Sequence, residues 1–418
     1  VASSSPDRLR AARLLIRVED GAFASRLLDR ESLPGVRARV LGVLRWQRTL
    51  DEDLSPLSKR PLSRLDPEVR TVLRMGVFEV SHLGVPAAVA TDEMIRLTRR
   101  LGKGSATGLV NAVLRRAGEG VRDQLDATPD VRWSHPEWVW RRWRSSFGED
   151  DAVKAMAAAQ EPARPWVWFP DDVVRQELVD SGVALEPHPW CPDAWTADEG
   201  RPLLMRSVSK GRCVVQDPSS QLVARTAAGV AKEAGRVADL CAAPGGKTLL
   251  LERLGEWDLL VAADLGFAKS VRLKRRLGGD RVVAADAAQP ALARSAWELV
   301  LLDAPCSGSG TFRRHPELKW RLKPEAIIDA ARRQRRMIGA SISLLDTDGV
   351  LVYGTCSVES EENEAHFETV PNCLERVDLT GHLPEGLPWH ETDAGGIRIL
   401  PHSHGDGFTI HALRRRDG

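Results

Sequence analysis

Asp239-Leu240-Cys241-Ala242-Ala243-Pro244-Gly245-Gly246-Lys247-Thr248 is the stretch that decides the fold of this 418-residue chain. It continues the apolar start Val237-Ala238, so a buried strand ends on an acid, turns through small residues and leads into a helix. Small residues let a backbone approach a ligand closely, and the first amides of the helix have no partner within it. A nucleotide-phosphate loop ends in the same Gly-Lys-Thr, but it needs glycine where Cys241 stands, so that match fails. Alone, a glycine-rich turn is equally a plain structural turn. Its surroundings decide.

Four further apolar runs follow or flank it: Leu259 to Asp264, Val282 to Asp286, Leu299 to Asp303, and Val350 to Tyr353, which lacks the acidic end. Buried parallel strands read as continuous apolar runs, and alternation with helical stretches predicts a doubly wound α/β sheet. Ligands of such sheets bind beyond the carboxyl ends of the strands, where all these acids fall. Asp264 is placed to accept hydrogen bonds from both hydroxyls of a ribose, and Asp286 to reach an adenine amino group. Each alone would read as a helix cap; in succession they read as a nucleoside site.

The six cysteines are widely scattered, with no Cys-x-x-Cys pair, which predicts neither a zinc site nor a disulfide scaffold. Two of them stand at strand ends, in Asp303-Ala304-Pro305-Cys306-Ser307-Gly308-Ser309-Gly310 and in Tyr353-Gly354-Thr355-Cys356-Ser357. A lone cysteine is usually a small buried hydrophobe; a pair facing one cleft asks for chemistry. Carbon 5 of cytosine is a poor nucleophile toward a methyl sulfonium. A thiolate adding at carbon 6 makes the ring enamine-like, and loss of the carbon 5 proton then expels the thiolate. Asp303 suits hydrogen bonding to, or protonation of, ring nitrogen 3. Methylation of a nitrogen needs no cysteine, so the paired thiols speak against it.

Toward the amino terminus the pattern is helical. Leu9, Ala12 and Ile16, then Val69, Leu73, Val77 and Val80, then Leu109, Val110, Val113 and Leu114 recur at helical spacing. Leu33-Pro34-Gly35 and Ser55-Pro56 read as turns between them. Residues 1–125 hold 22 Lys+Arg against 15 Asp+Glu, and the remainder 37 against 43, so the net charge of +1 hides a basic module suited to a polyanion. Eight of the 13 tryptophans lie between Trp133 and Trp195, where packing is a better account than stacking on RNA bases. After the fourth strand Arg313, Arg314, His315, Lys319, Arg321 and Lys323 read as phosphate contacts, with Arg332, Arg333, Arg335 and Arg336 on a following helix face. No apolar run reaches the length of a membrane span, and the first residues do not read as a signal peptide, so a cytoplasmic protein is expected.

Together, the Asp303 to Gly310 run, Thr355-Cys356-Ser357 and the Cys241 to Lys247 loop resemble the Sun (Fmu) family of RNA cytosine-5 methyltransferases. Val215-Gln216-Asp217, Ser220-Gln221, Arg313-Arg314-His315-Pro316, Glu361-Glu362-Asn363-Glu364 and Gly405-Asp406-Gly407-Phe408 support the resemblance, which spans nearly the whole chain. It implies a NusB-like all-α RNA-binding domain over 1–125, a connector with a small α+β subdomain over 126–210, and a Rossmann-like methyltransferase domain over 211–418. It implies S-adenosylmethionine as cofactor, held by Cys241, Ala242, Ala243, Pro244, Gly245, Gly246, Lys247, Asp264, Asp286 and Asp303. It further implies Cys356 as nucleophile and Cys306 as the residue assisting product release, a choice the chemistry leaves open. The expected partner is 16S ribosomal RNA, acted on by a monomer without metal. Transfer RNA, or a non-enzymatic role in ribosome assembly, are the alternatives. Gly354 departs from the family pattern, where serine or alanine is expected.

Overall fold

In a computed structural model, residues 5–29, 31, 33–118, 127–278 and 280–416 are described. They form two compact units: Val1–Pro162 with Phe312–Arg321, and Ala163–Thr311 with Leu322–Gly418.

The first unit is helical. Its core is built from Ala12, Leu15 and Val18 of helix Ser5–Glu19, Val69, Leu73 and Val77 of Pro67–Leu83, and Val110, Val113 and Leu114 of Thr107–Gly118. The buried face of the first helix thus runs through Leu15 and Val18 rather than Ile16, which is only partly buried. Pro34 does not mark a break: it opens helix Pro34–Arg45, where a missing amide hydrogen costs nothing. Gly42 is required there, because a Cβ would come within 1.9 Å of the Phe78 ring.

The expected boundary at 125/126 lies outside the described residues. Beyond it, helices Glu137–Phe147 and Glu149–Ala158 belong to this helical unit. So does the segment Phe312–Arg321, whose Phe312 ring stacks on Trp143 at 5.7 Å. Here the basic stretch departs from its reading as phosphate contacts. Lys319 is fully buried and donates to the carbonyls of Arg45 and Ser134, both at 2.8 Å. Burial, reinforced by Arg45, pushes its proton affinity well below that of an ordinary lysine. Arg313 is buried as well, and Arg321 donates to the carbonyls of Gly21 and Ala22 while lying over the Phe23 ring at 4.0 Å. These cations hold the fold. Arg332, Arg333, Arg335 and Arg336 remain exposed on helix Pro324–Ile342 of the second unit.

The second unit carries two sheets. The smaller joins β1 (Val167–Trp168), β2 (Glu186–Pro187), β3 (Trp195–Thr196) and β4 (Val214–Val215), antiparallel, in the order β2-β3-β1-β4. Its tryptophans pack: Trp166, Trp168 and Trp190 are all buried. The larger sheet contains every apolar run read from the sequence. β5 (Arg236–Leu240), β6 (Leu259–Asp264), β7 (Val282–Ala284), β8 (Trp297–Asp303) and β9 (Leu345–Thr355) are parallel and lie in the order β7-β6-β5-β8-β9. Strand order reverses between β5 and β8, which opens a crevice at their carboxyl ends. An antiparallel set, β10 (Leu374–Arg376), β11 (His390–Glu391), β12 (Ile397–Ile399) and β13 (Phe408–Arg415), extends the sheet beyond β9 through β13. Among the described residues, no helix is long and apolar enough to cross a membrane, and no group of three or more His, Cys, Asp or Glu could hold a metal ion.

Candidate active site

The crevice is built from five strand ends. After β5 the chain turns sharply, with Cys241 in left-handed backbone (φ +62°) and Gly245 likewise (φ +98°). A Cβ on Gly245 would meet Leu273 at 2.7 Å, so glycine is needed both for conformation and for room. Helix Gly246–Leu254 then presents its amino terminus to the crevice. The loop is tied to β6 by Ala242 N–H on the Ala263 carbonyl (2.9 Å) and Ala243 N–H on Asp264 Oδ2 (3.2 Å). Asp264 also accepts from Gly266 N–H at 3.2 Å and pairs with Lys269 at 3.4 Å.

Asp239, beneath the loop, accepts from Thr248, while its Oδ1 is buried with no partner among the described residues. Burial, opposed by the Thr248 hydroxyl and aided by Asp303, pushes its carboxyl up to about 7. Burial does the same to the Cys241 thiol, pushed up to about 12 with help from Asp303 and Asp264, so Cys241 is no thiolate at neutral pH. Asp286 lies two residues beyond β7 rather than at its end. Its Oδ1 accepts from Ala288 N–H at 2.9 Å, the turn-capping use that an isolated aspartate often has. Small-residue loop, left-over buried acceptor and acid at the end of β6 suit an adenosine-bearing cofactor.

Lys247 reaches across from that loop. Its Nζ donates to Asp303 Oδ2 and to Ser220 Oγ, each at 2.7 Å, so the carboxylate at the end of β8 is already charge-paired. Ser220 was visible in the sequence only as part of a family match. β8 and β9 run in register, with Asp303 opposite Gly354. The departure at Gly354 has a physical correlate: a Cβ there would press on Val223 Cγ1 at 2.9 Å.

Beyond those strand ends the two cysteines meet. Cys306 and Cys356 are both half-buried, with their Sγ atoms 3.2 Å apart. Contact with Cys356, then burial, with the negative charge of Glu362 adding to them, raises the proton affinity of Cys306 well above that of an ordinary thiol. Gly310 N–H donates to the Cys356 carbonyl at 3.0 Å, and the Gly310 carbonyl accepts from Gly407 N–H at 2.8 Å. No side chain fits at Gly310, since a Cβ would lie 2.2 Å from the Gly407 carbonyl oxygen.

Comparison with known proteins identifies the family. Residues 230–414 match the family described as 16S rRNA methyltransferase RsmB/F, and residues 5–119 match the NusB family. The ribosomal RNA small subunit methyltransferase B of Xanthomonas campestris pv. campestris is 32% identical over 433 residues, covering 97% of this chain and 96% of that protein. Its namesake from Salmonella arizonae is 31% identical over 394 residues, covering 90% and 89%. The solved structure of the protein PH0851 shares the fold over 99% of both chains, with a TM-score of 0.76 at 22% identity. With relatives this similar along nearly its whole length, the chain belongs to the RsmB/F (Sun) family of S-adenosylmethionine-dependent ribosomal RNA methyltransferases.

Proposed function

We propose that this protein methylates carbon 5 of a cytosine in 16S ribosomal RNA, with Cys356 as covalent nucleophile. The observation that carries the reading is the contact of two thiols, 3.2 Å apart, at neighbouring parallel strand ends beside the Lys247–Asp303 pair. Cys241 to Lys247, Asp264, Asp286 and Asp303 would hold S-adenosylmethionine, which supplies an electrophilic methyl group when bound. Cys356 Sγ adds to carbon 6, and the displaced ring electrons make carbon 5 nucleophilic. Asp303 passes a proton to ring nitrogen 3, where negative charge develops, Lys247 stabilises the carboxylate left behind, and the proton returns when the ring is restored. Release needs the carbon 5 proton removed while the bond from carbon 6 to Sγ breaks and its electrons return to Cys356. Cys306 is assigned to that step: its thiol, 3.2 Å from Cys356 Sγ, gives its proton to the leaving sulfur, and the thiolate so formed takes the carbon 5 proton. The helical unit supplies RNA affinity; this rests on the NusB match over residues 5–119 and the basic excess of residues 1–125.

Bisulfite sequencing of total RNA from cells with and without the gene tests this. The expected result is one cytosine of 16S ribosomal RNA that resists conversion only when the gene is present. Gene-dependent protection confined to transfer RNA would move the substrate. Protection unchanged by deletion, with the protein bound to ribosomal precursors, would favour an assembly factor instead.

The cofactor reading has its own test. Asp264→Ala is expected to weaken S-adenosylmethionine binding about 10- to 100-fold in calorimetry, the worth of one or two hydrogen bonds to a charged group. Undiminished affinity would remove Asp264 from the site.

A further inference from the structure

Both reactive loops are held from a single point that the chemistry above does not use. Each carries the same dipeptide, Cys306-Ser307 after the two residues that follow β8 and Cys356-Ser357 directly after β9. The two serine hydroxyls donate to one oxygen, Oε2 of Glu362, a residue 0% exposed. The other oxygen, Oε1, accepts from Ser307 N–H at 2.8 Å and from Gln334 Nε2 at 3.0 Å. Gln334 Nε2 also reaches the Pro305 carbonyl at 3.0 Å, so the helix Pro324–Ile342 is tied to the same loop. The clamp is itself anchored: Tyr353 OH donates to the Glu362 carbonyl at 2.6 Å. Neighbouring Asn363 donates to the carbonyls of Ser357 and Glu359 at 3.1 and 2.8 Å, and accepts from Thr355 Oγ1 at 2.8 Å. A buried carboxylate is costly unless its lone pairs are filled, and here four donors converge on it from two loops and a helix.

We propose that Glu362 is a positioning residue for methyl transfer, clamping Ser307 and Ser357 so that the sulfurs of Cys306 and Cys356 stay in contact. The inference rests on the reading that these two thiols carry the reaction. Burial raises the proton affinity of Glu362, and its charge adds to what keeps Cys306 protonated. The carboxylate therefore acts on the thiol pair mainly by geometry, its charge being the smallest of the effects that raise the proton affinity of Cys306. A residue that merely filled the core would affect stability alone.

The test uses the full-length protein and reads the thiol pair directly. Diamide oxidises two adjacent thiols to a disulfide, its nitrogen–nitrogen double bond taking up both hydrogens to become a hydrazine. The rate of Cys306–Cys356 crosslinking, followed by mass spectrometry of peptides, reports their contact without any RNA. In Glu362→Ala crosslinking is expected to slow about 10-fold. The kcat for methyl transfer should fall about 100-fold, the scale of a displaced reacting group, while KM for S-adenosylmethionine changes less than about threefold. Glu362→Gln keeps an acceptor for Ser307 N–H and Gln334, and its amide can donate to serine hydroxyls that rotate. It should restore both rates to within about fivefold of wild type. If Glu362→Ala fails to fold, the Ser307→Ala/Ser357→Ala double variant cuts the same two ties and should slow crosslinking likewise. An unchanged crosslinking rate in Glu362→Ala or in the double variant overturns the clamp, and so does a Gln variant as impaired as Ala. Wild-type protein that crosslinks readily but methylates no cytosine would instead sink the functional reading and leave the clamp standing.

Discussion

Cys356→Ala is expected to abolish both methyl transfer and any covalent RNA adduct, whereas Cys306→Ala is expected to accumulate the adduct. Loss of a covalent nucleophile costs about 10⁴-fold or more in rate, so the first variant should show no product above background. The second retains the attacking sulfur and Asp303 with its Lys247 partner, and lacks only the group assigned to release. Substrate RNA incubated with Cys306→Ala and S-adenosylmethionine should therefore give a protein–RNA species that survives denaturing electrophoresis. The environments of the thiols point the same way. Cys306 is held as a thiol by its contact with Cys356, by burial and by the charge of Glu362, which suits a group acting after the attack. Adduct in Cys356→Ala but not in Cys306→Ala would reverse the assignment. Adduct in neither would remove Cys306 from the release step.

The parallel half of the sheet was legible because β5, β6, β8 and the end of β9 are buried on both faces, and so read as unbroken apolar runs. β13 was not. Its run Phe408-Thr409-Ile410-His411-Ala412 is also buried throughout, yet Thr409 and His411 break the apolar signal, His411 by stacking on Phe367 at 4.5 Å. The two cysteines could be placed at strand ends, but not in contact, since register between β8 and β9 joins residues some 50 positions apart. Lys319 misled for a related reason. Locally it belongs to a basic stretch, and only carbonyls 274 and 185 positions away show that it is structural. Glu362 stood out merely as part of a family match. A signal for its role did exist: the Cys-Ser dipeptide repeated at two strand ends, with two hydroxyls in need of one acceptor.

In the helical unit the largest expected effect comes from Glu79. Its carboxylate, with no exposed side-chain surface, accepts from Arg8 at 2.9 Å on each oxygen and from Arg39 Nε at 2.6 Å. Both guanidiniums are themselves only 5% exposed, and Arg8 has a second carboxylate, Glu93, at 3.1 Å. Removing the shared acid leaves two desolvated cations facing one another, with Glu93 remaining as a partner of Arg8. Glu79→Ala is expected to destabilise this unit by about 3–5 kcal/mol, the cost of breaking rather than replacing a buried ion pair. For a unit of this size, scanning calorimetry should show its transition lowered by about 6–20 °C. Replacing Arg8, Arg39 and Glu79 together by apolar residues should cost much less, because no unpaired charge then remains. S-adenosylmethionine affinity should be unchanged, since every residue proposed to bind the cofactor lies in the other unit. A shift in Glu79→Ala no larger than that of the triple replacement would show that the charges are solvated by other means, and that the triad does not hold these helices together.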